Sequence, residues 1–271
     1  PNSDDRVIDF VRPTSSVHDA VGSFEGVRGS AGLGSASMSG MTRRIVVTGA
    51  GRGLGRALAE RWVAAGHEVW GCTRAGTSPV ALAGCVTMDM GDEASVVAGA
   101  ARLAEHLDGV DLLVNCAGVD ARAFGGAEDA RGPFDFDAAT LQAVIGVNVA
   151  GPMALTRELL PLLRRGAEPM VLNVSSQLGS MQVAATKGRD TVYCMSKAAL
   201  NMLSVKSAAA LRADGIAVVM LHPGWVQTDM GGSSAPLTIA ESADSIVRTV
   251  DALTLADSGR FIQWDGSDHP W

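Results

Sequence analysis

The stretch that decides the fold reads Arg44-Ile45-Val46-Val47-Thr48-Gly49-Ala50-Gly51-Arg52-Gly53-Leu54-Gly55. Ile45 to Val47 reads as a buried strand, and the glycines behind it open a helix through Leu54, Leu58 and Val63. Glycine spacing alone is weak in a chain with 32 glycines among 271 residues. Its place between an apolar strand and a helix makes it informative. Missing side chains let the backbone approach a pyrophosphate, and the helix N-terminus presents N–H donors and a favourable dipole. The rival reading is a turn that only packs strand on helix.

Outward from that stretch, apolar runs alternate with helical patterns. Residues 67–73 form a second strand, Val86 and Met88 lie in a third, and Leu112-Leu113-Val114 is a fourth, entered through Asp111. Val171 to Val174, Ala217 to Leu221 and the short Phe261-Ile262 complete the set. Helices are predicted over 93–107, about 137–149, 152–163, 192–212 and 239–253. Continuous apolar strands separated by helices call for a parallel sheet covered on both faces. Right-handed crossovers make it a single-domain Rossmann fold (α/β). Its doubly wound sheet has about seven strands, with ligand sites at their carboxyl ends.

Composition narrows the function. With 22 basic and 29 acidic residues the net charge is −7, which argues against nucleic acid and acidic membrane surfaces as partners. No apolar run approaches the roughly 18 residues of a membrane span, so a soluble protein without a membrane partner is expected. Cys72, Cys85, Cys116 and Cys194 stand singly, without metal-type spacing, and read as free thiols of a cytoplasmic protein. Residues 1–40 are rich in Ser and Gly and lack periodicity. They are expected to be a leader of artificial origin or a native extension, with an arm packing on a neighbour as the third option. The compact domain is expected over 41–271.

The chain has five tryptophans and one tyrosine, Tyr193. Only three lysines occur (Lys187, Lys197, Lys206), yet one lies four residues past that tyrosine, on the same face of a predicted helix. Reducing a carbonyl by hydride requires a proton donor at the developing alkoxide. A phenol, whose pKa is about 10, meets that need near neutral pH only if its surroundings favour ionisation. A nearby ammonium does so. Bringing the phenol toward pH 7 takes about 4 kcal/mol, within reach of a desolvated site beside a positively charged cofactor ring.

From Arg43 onward the chain resembles the short-chain dehydrogenase/reductase family. The residues that carry the resemblance follow in order: Thr48-Gly49 with Gly53 and Gly55, Asp89, Asn115-Cys116-Ala117-Gly118, Asn148, Ser175-Ser176, Tyr193 with Lys197, and Pro223-Gly224. Cys116 departs from the pattern, standing where a second Asn is usual, and the interval from Ser176 to Tyr193 is slightly long. The resemblance implies that Tyr193 is the general acid in reduction or base in oxidation, and that Lys197 also binds the nicotinamide ribose. It implies that Ser176 orients the substrate oxygen, with Ser175 facing structure. Asn148 is implied to hold a relay water, or else serves only as a hydrogen bonder within its helix. Cofactor contacts are implied for Gly49, Gly53, Leu54, Gly55, Thr73, Asp89, Asn115, Ala117, Gly118, Tyr193, Lys197, Pro223, Gly224, Val226 and Thr228. Family members commonly pair two helices across a two-fold axis, which implies a homodimer or homotetramer.

The second strand ends Cys72-Thr73-Arg74, where NAD-binding folds of this type place a carboxylate for the ribose 2′-hydroxyl. A guanidinium there favours a 2′-phosphate, with Arg52 as the second arm of the clamp. NADP(H) is therefore the expected cofactor, with NAD(H) left open, and no metal. Met181, Val183, Trp225 and Met230 read as pocket lining or core, and His222 as structural. The tail from Phe261 to Trp271 is similar to tails of C-factor-like and sniffer-like carbonyl reductases. That likeness implies reduction of a ketone or aldehyde carrying an apolar portion. The alternatives are an NAD(P)-dependent alcohol dehydrogenase and a non-enzymatic NADP(H)-binding redox sensor.

Overall fold

A computed structural model describes residues 41–125 and 131–271. Met41–Trp271 form one compact unit, and the expected leader lies outside the described residues. Its strands are β1 (Arg44–Thr48), β2 (Glu68–Thr73), β3 (Gly84–Thr87), β4 (Leu112–Asn115), β5 (Met170–Val174), β6 (Ala217–His222) and β7 (Phe261–Gln263). The helices are α1 (Gly53–Ala64), α2 (Glu93–His106), α3 (Ala138–Ile145), α4 (Gly151–Leu163), α5 (Met181–Ala184), α6 (Thr191–Leu211) and α7 (Ile239–Ala252). All strand pairs are parallel, in the order β3-β2-β1-β4-β5-β6-β7.

Strand alternation divides the core into two layers. Val46, Leu113, Val171 and Val218 point to one face, against Leu103 of α2, Leu155 and Leu159 of α4 and Leu211 of α6. Their neighbours Ile45, Val47, Leu112, Val114, Leu172 and Val219 point to the other, against Leu58 and Trp62 of α1 and Ile246 and Val250 of α7. Both faces are buried, hence the unbroken apolar strands. The chain leaves β1 toward β2 and β3, then returns to place β4 on the opposite side. The carboxyl ends of β1 and β4 thus flank the switch point where such sheets bind ligands.

Two sequence expectations need correcting. Met88 lies just past β3, although its N–H still donates to the carbonyl of Thr73 at 2.8 Å. The two helices expected on either side of Ala150 are continuous, joined by a π-turn over Gly146–Ala150 in which the Gly151 N–H reaches the Gly146 carbonyl. Pro152 has no N–H for the carbonyl of Asn148, so the α pattern fails there and the backbone widens. The resulting 26-residue helix, Ala138–Leu163, is by length and composition long and apolar enough to cross a membrane, which no sequence segment suggested. Its buried side chains pack on the sheet.

Candidate active site

The glycine turn is built by steric necessity at two points. Gly49 has φ +73°, and its N–H donates to the Cys72 carbonyl at 2.9 Å. At Gly55 a Cβ would stand 2.5 Å from the Gly49 carbonyl oxygen, so only glycine lets α1 start against β1. Gly53 faces open space, and there it is the backbone alone, with φ +54° in the left-handed region, that favours glycine. Helices α2, α3 and α7 are capped by side chains of Asp92, Asp137 and Thr238, whereas Arg52 gives α1 no side-chain cap. The first-turn N–H groups of α1, Leu54 among them, are thus suited to a pyrophosphate. The donors and open cradle fit a dinucleotide.

Thr48 locks this turn to the loop after β4, its hydroxyl accepting from the N–H groups of Cys116 and Ala117 at 3.0 Å each. Cys116 therefore keeps the local turn through its backbone, and burial pushes its thiol up to about 12. Thr73 sits beneath Gly51, its hydroxyl bonded to Thr77. The next residue, Arg74, is exposed, and its side chain forms no ion pair among the described residues. Asp89 is half-buried and accepts from the Gly91 N–H at 2.9 Å, fixing the turn into α2.

Two expected cofactor residues are engaged elsewhere. The Arg52 guanidinium meets the Asp229 carboxylate at 2.5 Å rather than standing free as a clamp arm. Asn115 is buried in the sheet, donating to Asn173 Oδ1 at 2.8 Å, while Asn173 donates to Ser204 of α6. Its side chain supports the strands beneath α6. Alternation carried the signal, since Asn115 shares the parity of Leu113, on the α6 face.

The catalytic candidates converge where β5 ends against α6. Ser176 is half-buried, its hydroxyl accepting from the Leu178 N–H at 3.1 Å and close enough to Tyr193 to act on the phenol's pKa. Its neighbour Ser175 is buried and donates to Asn201 at 2.6 Å, facing structure as expected. The Lys197 ammonium lies 5.6 Å from the centre of the Tyr193 ring and donates to the Val174 carbonyl at 2.8 Å. Gly118 closes the floor: a Cβ there would come within 3.5 Å of Lys197 Nζ and 3.4 Å of Asn148 Oδ1. The Asn148 amide makes three hydrogen bonds, accepting from Val119 N–H and donating to the Val119 carbonyl and to Ser196. Ser196 in turn donates to the Tyr193 carbonyl, so Asn148 pins the β4 loop to the turn of α6 that carries the tyrosine. This link through Ser196 was missed in the sequence, although Ser196 directly precedes Lys197.

Burial shifts both titratable groups of the Tyr193–Lys197 pair. Burial pushes Tyr193 well above its ordinary value, outweighing the lowering effect of the Ser176 hydroxyl, with Asp120 adding in the same direction as burial. Burial also lowers Lys197 to about 8. Both shifts are in the direction that burial imposes, against each group's charged form.

The segment after β6 forms the other wall. Gly224 (φ +86°) lies so close to Leu237 and Trp264 that a Cβ would clash, and Ser242 holds the Pro223 carbonyl at 2.7 Å. Val226 is buried, and the Thr228 hydroxyl accepts from Gly231 N–H at 3.0 Å. Met181, Trp225 and Met230 are exposed and belong to neither core layer. Arg122, paired with Asp120, donates to the Met230 carbonyl at 2.9 Å. Burial, then His269, lowers His222 to about 3, so it is a neutral packing residue.

The family model for short chain dehydrogenases matches residues 43–236, and the chain belongs to that family. It is an oxidoreductase with a carbonyl-reductase-like architecture. It is 43% identical over 162 residues to the C-signal protein of Myxococcus xanthus, covering 60% of this chain and 93% of that one. The NADPH-bound carbonyl reductase from chicken fatty liver superposes with TM-score 0.76 at 30% identity, covering 85% of this chain and 99% of its own. The carbonyl reductase Sniffer of D. melanogaster gives TM-score 0.74 at 27% identity, covering 85% and 100%.

Proposed function

We propose that this chain is an NADPH-dependent reductase of ketone or aldehyde carbonyls, with Tyr193 as general acid. The observation that carries the reading is the meeting of Ser176, Tyr193 and Lys197 beside Gly118, at the carboxyl end of the sheet. When bound, the reduced nicotinamide supplies the hydride. Ser176 holds the substrate oxygen beside the Tyr193 hydroxyl, and Tyr193 gives its proton to the alkoxide as it forms. Lys197, anchored on Val174, holds the ribose hydroxyls and stabilises the phenolate left behind.

Gly49, Gly53, Leu54 and Gly55 hold the pyrophosphate, Arg74 and Arg52 the 2′-phosphate, and Asp89 the adenine. Ala117, Gly118, Pro223, Gly224, Val226 and Thr228 enclose the nicotinamide half. The exposed Met181, Trp225 and Met230 favour a substrate with an apolar portion. Exposed Met153 on α4, with Met195 and Met202 on α6, supports pairing of two copies through those helices. Four free thiols fit a cytoplasmic setting. NADPH oxidation over a panel of aliphatic and aromatic ketones and aldehydes tests the reading. Turnover with at least one apolar carbonyl is expected, and turnover only of alcohols with NAD⁺ would overturn it.

A further inference from the structure

Arg52 and Asp229 lie 177 positions apart, one in the glycine turn and one in the wall after β6, and they meet at 2.5 Å. Asp229 is not presented by a loose chain. Thr228 takes the N–H of Gly231 on its hydroxyl and that of Gly232 on its carbonyl, at 3.0 and 2.8 Å. The Trp225 indole donates to the Gly231 carbonyl at 2.8 Å, and Arg122 holds Met230. The carboxylate is therefore held out from a braced turn toward a guanidinium at the start of α1, where a dinucleotide's phosphates would lie. Arg74, the other cation of the 2′-phosphate clamp, has no such partner among the described residues.

We propose that Asp229 is a specificity-determining residue: an internal carboxylate that competes with a nucleotide 2′-phosphate for Arg52 and so lowers the preference for NADP(H) over NAD(H). The proposal rests on the NADP(H) reading above. A phosphate dianion offers more charge and three acceptor oxygens, so it displaces the carboxylate. The displacement cancels part of what Arg52 would otherwise contribute. A nucleotide without the 2′-phosphate leaves the Arg52–Asp229 pair intact and is indifferent to it.

Calorimetry with 2′,5′-ADP and 5′-AMP tests this without turnover, using the full chain, its D229N and R52A variants, and the double variant. D229N should bind 2′,5′-ADP about two- to fivefold more tightly, the range set by exposed ion pairs. Binding of 5′-AMP should stay unchanged, and the gain should vanish in R52A/D229N. An unchanged 2′,5′-ADP affinity in D229N overturns the proposal. So does a gain shared by 5′-AMP, or one that survives without Arg52, because either reports a general charge effect. If the unaltered chain does not prefer 2′,5′-ADP to 5′-AMP, the NADP(H) reading fails. A preference that D229N leaves untouched overturns only the role of Asp229.

Discussion

Replacing Lys197 by methionine should stabilise the protein at neutral pH while removing its proposed chemistry. Lys197 is 4% exposed, and burial lowers its pKa from 10.5 to about 8. At about 1.36 kcal/mol per pH unit, keeping that ammonium charged at pH 7 costs the folded state about 3 kcal/mol. Methionine removes that cost but orphans the Val174 carbonyl, which returns about 1 kcal/mol. The net gain is about 2 kcal/mol, or a rise in Tm of about 4–8 °C for a domain of this size. Between about pH 8 and 10.5 the folded state has released this proton and the unfolded chain has not, so the stability contributed at this site rises with pH. The gap between the two proteins should therefore shrink across that window and close or reverse above it. Urea denaturation at pH 7, 8, 9 and 10 reads both effects. A variant less stable at pH 7, or a gap equal at pH 7 and 10, refutes the reasoning.

Exchanging Arg74 for Ala should raise the KM for NADPH about tenfold or more, from loss of a charge-assisted contact, and leave that for NADH within about twofold. Initial rates with both cofactors check it, and equal effects would count against the assignment. Gly55→Ala should cost about 1–3 kcal/mol in thermal or urea denaturation and weaken nucleotide binding, because its Cβ would press on the Gly49 carbonyl. Asp111 is buried and, although burial alone would raise its pKa, hydrogen bonds from Arg44 and from the Ala167 N–H bring it below 3.8. Its stabilisation is fully present above pH 3.8 and is lost as pH falls through the lower folded value. Asp111→Asn should cost about 2–3 kcal/mol at pH 7 and flatten that acid-side loss, as followed by acid titration of the circular dichroism signal.

The parallel sheet was legible because both of its faces are buried, which writes each strand as an unbroken apolar run such as Ile45-Val46-Val47. Tyr193 and Lys197 were legible because one helical turn joins them and neither residue type is common in this chain. The π-turn was not, since a proline two residues past a glycine-bounded segment reads as a boundary, and only packing keeps the helix running through it. The Asn115–Asn173–Ser204 chain was not legible, because strand alternation sends Asn115 toward α6 while its partners lie 58 and more positions away. The Arg52–Asp229 pair joins distant segments at the surface, and no local pattern announces which exposed charges will meet. The raised pKa of Tyr193 follows from burial, which spacing along a helix does not reveal.

The most direct test of the central claim compares the unaltered chain with Tyr193→Phe on its best carbonyl substrate, alongside NADPH binding to both. Tyr193 is predicted to be the proton donor. The variant should therefore bind NADPH with nearly the same affinity and lose carbonyl reduction by about 10²–10⁴-fold, the range for a positioned general acid. A variant that reduces the substrate as fast as the unaltered chain would contradict the account.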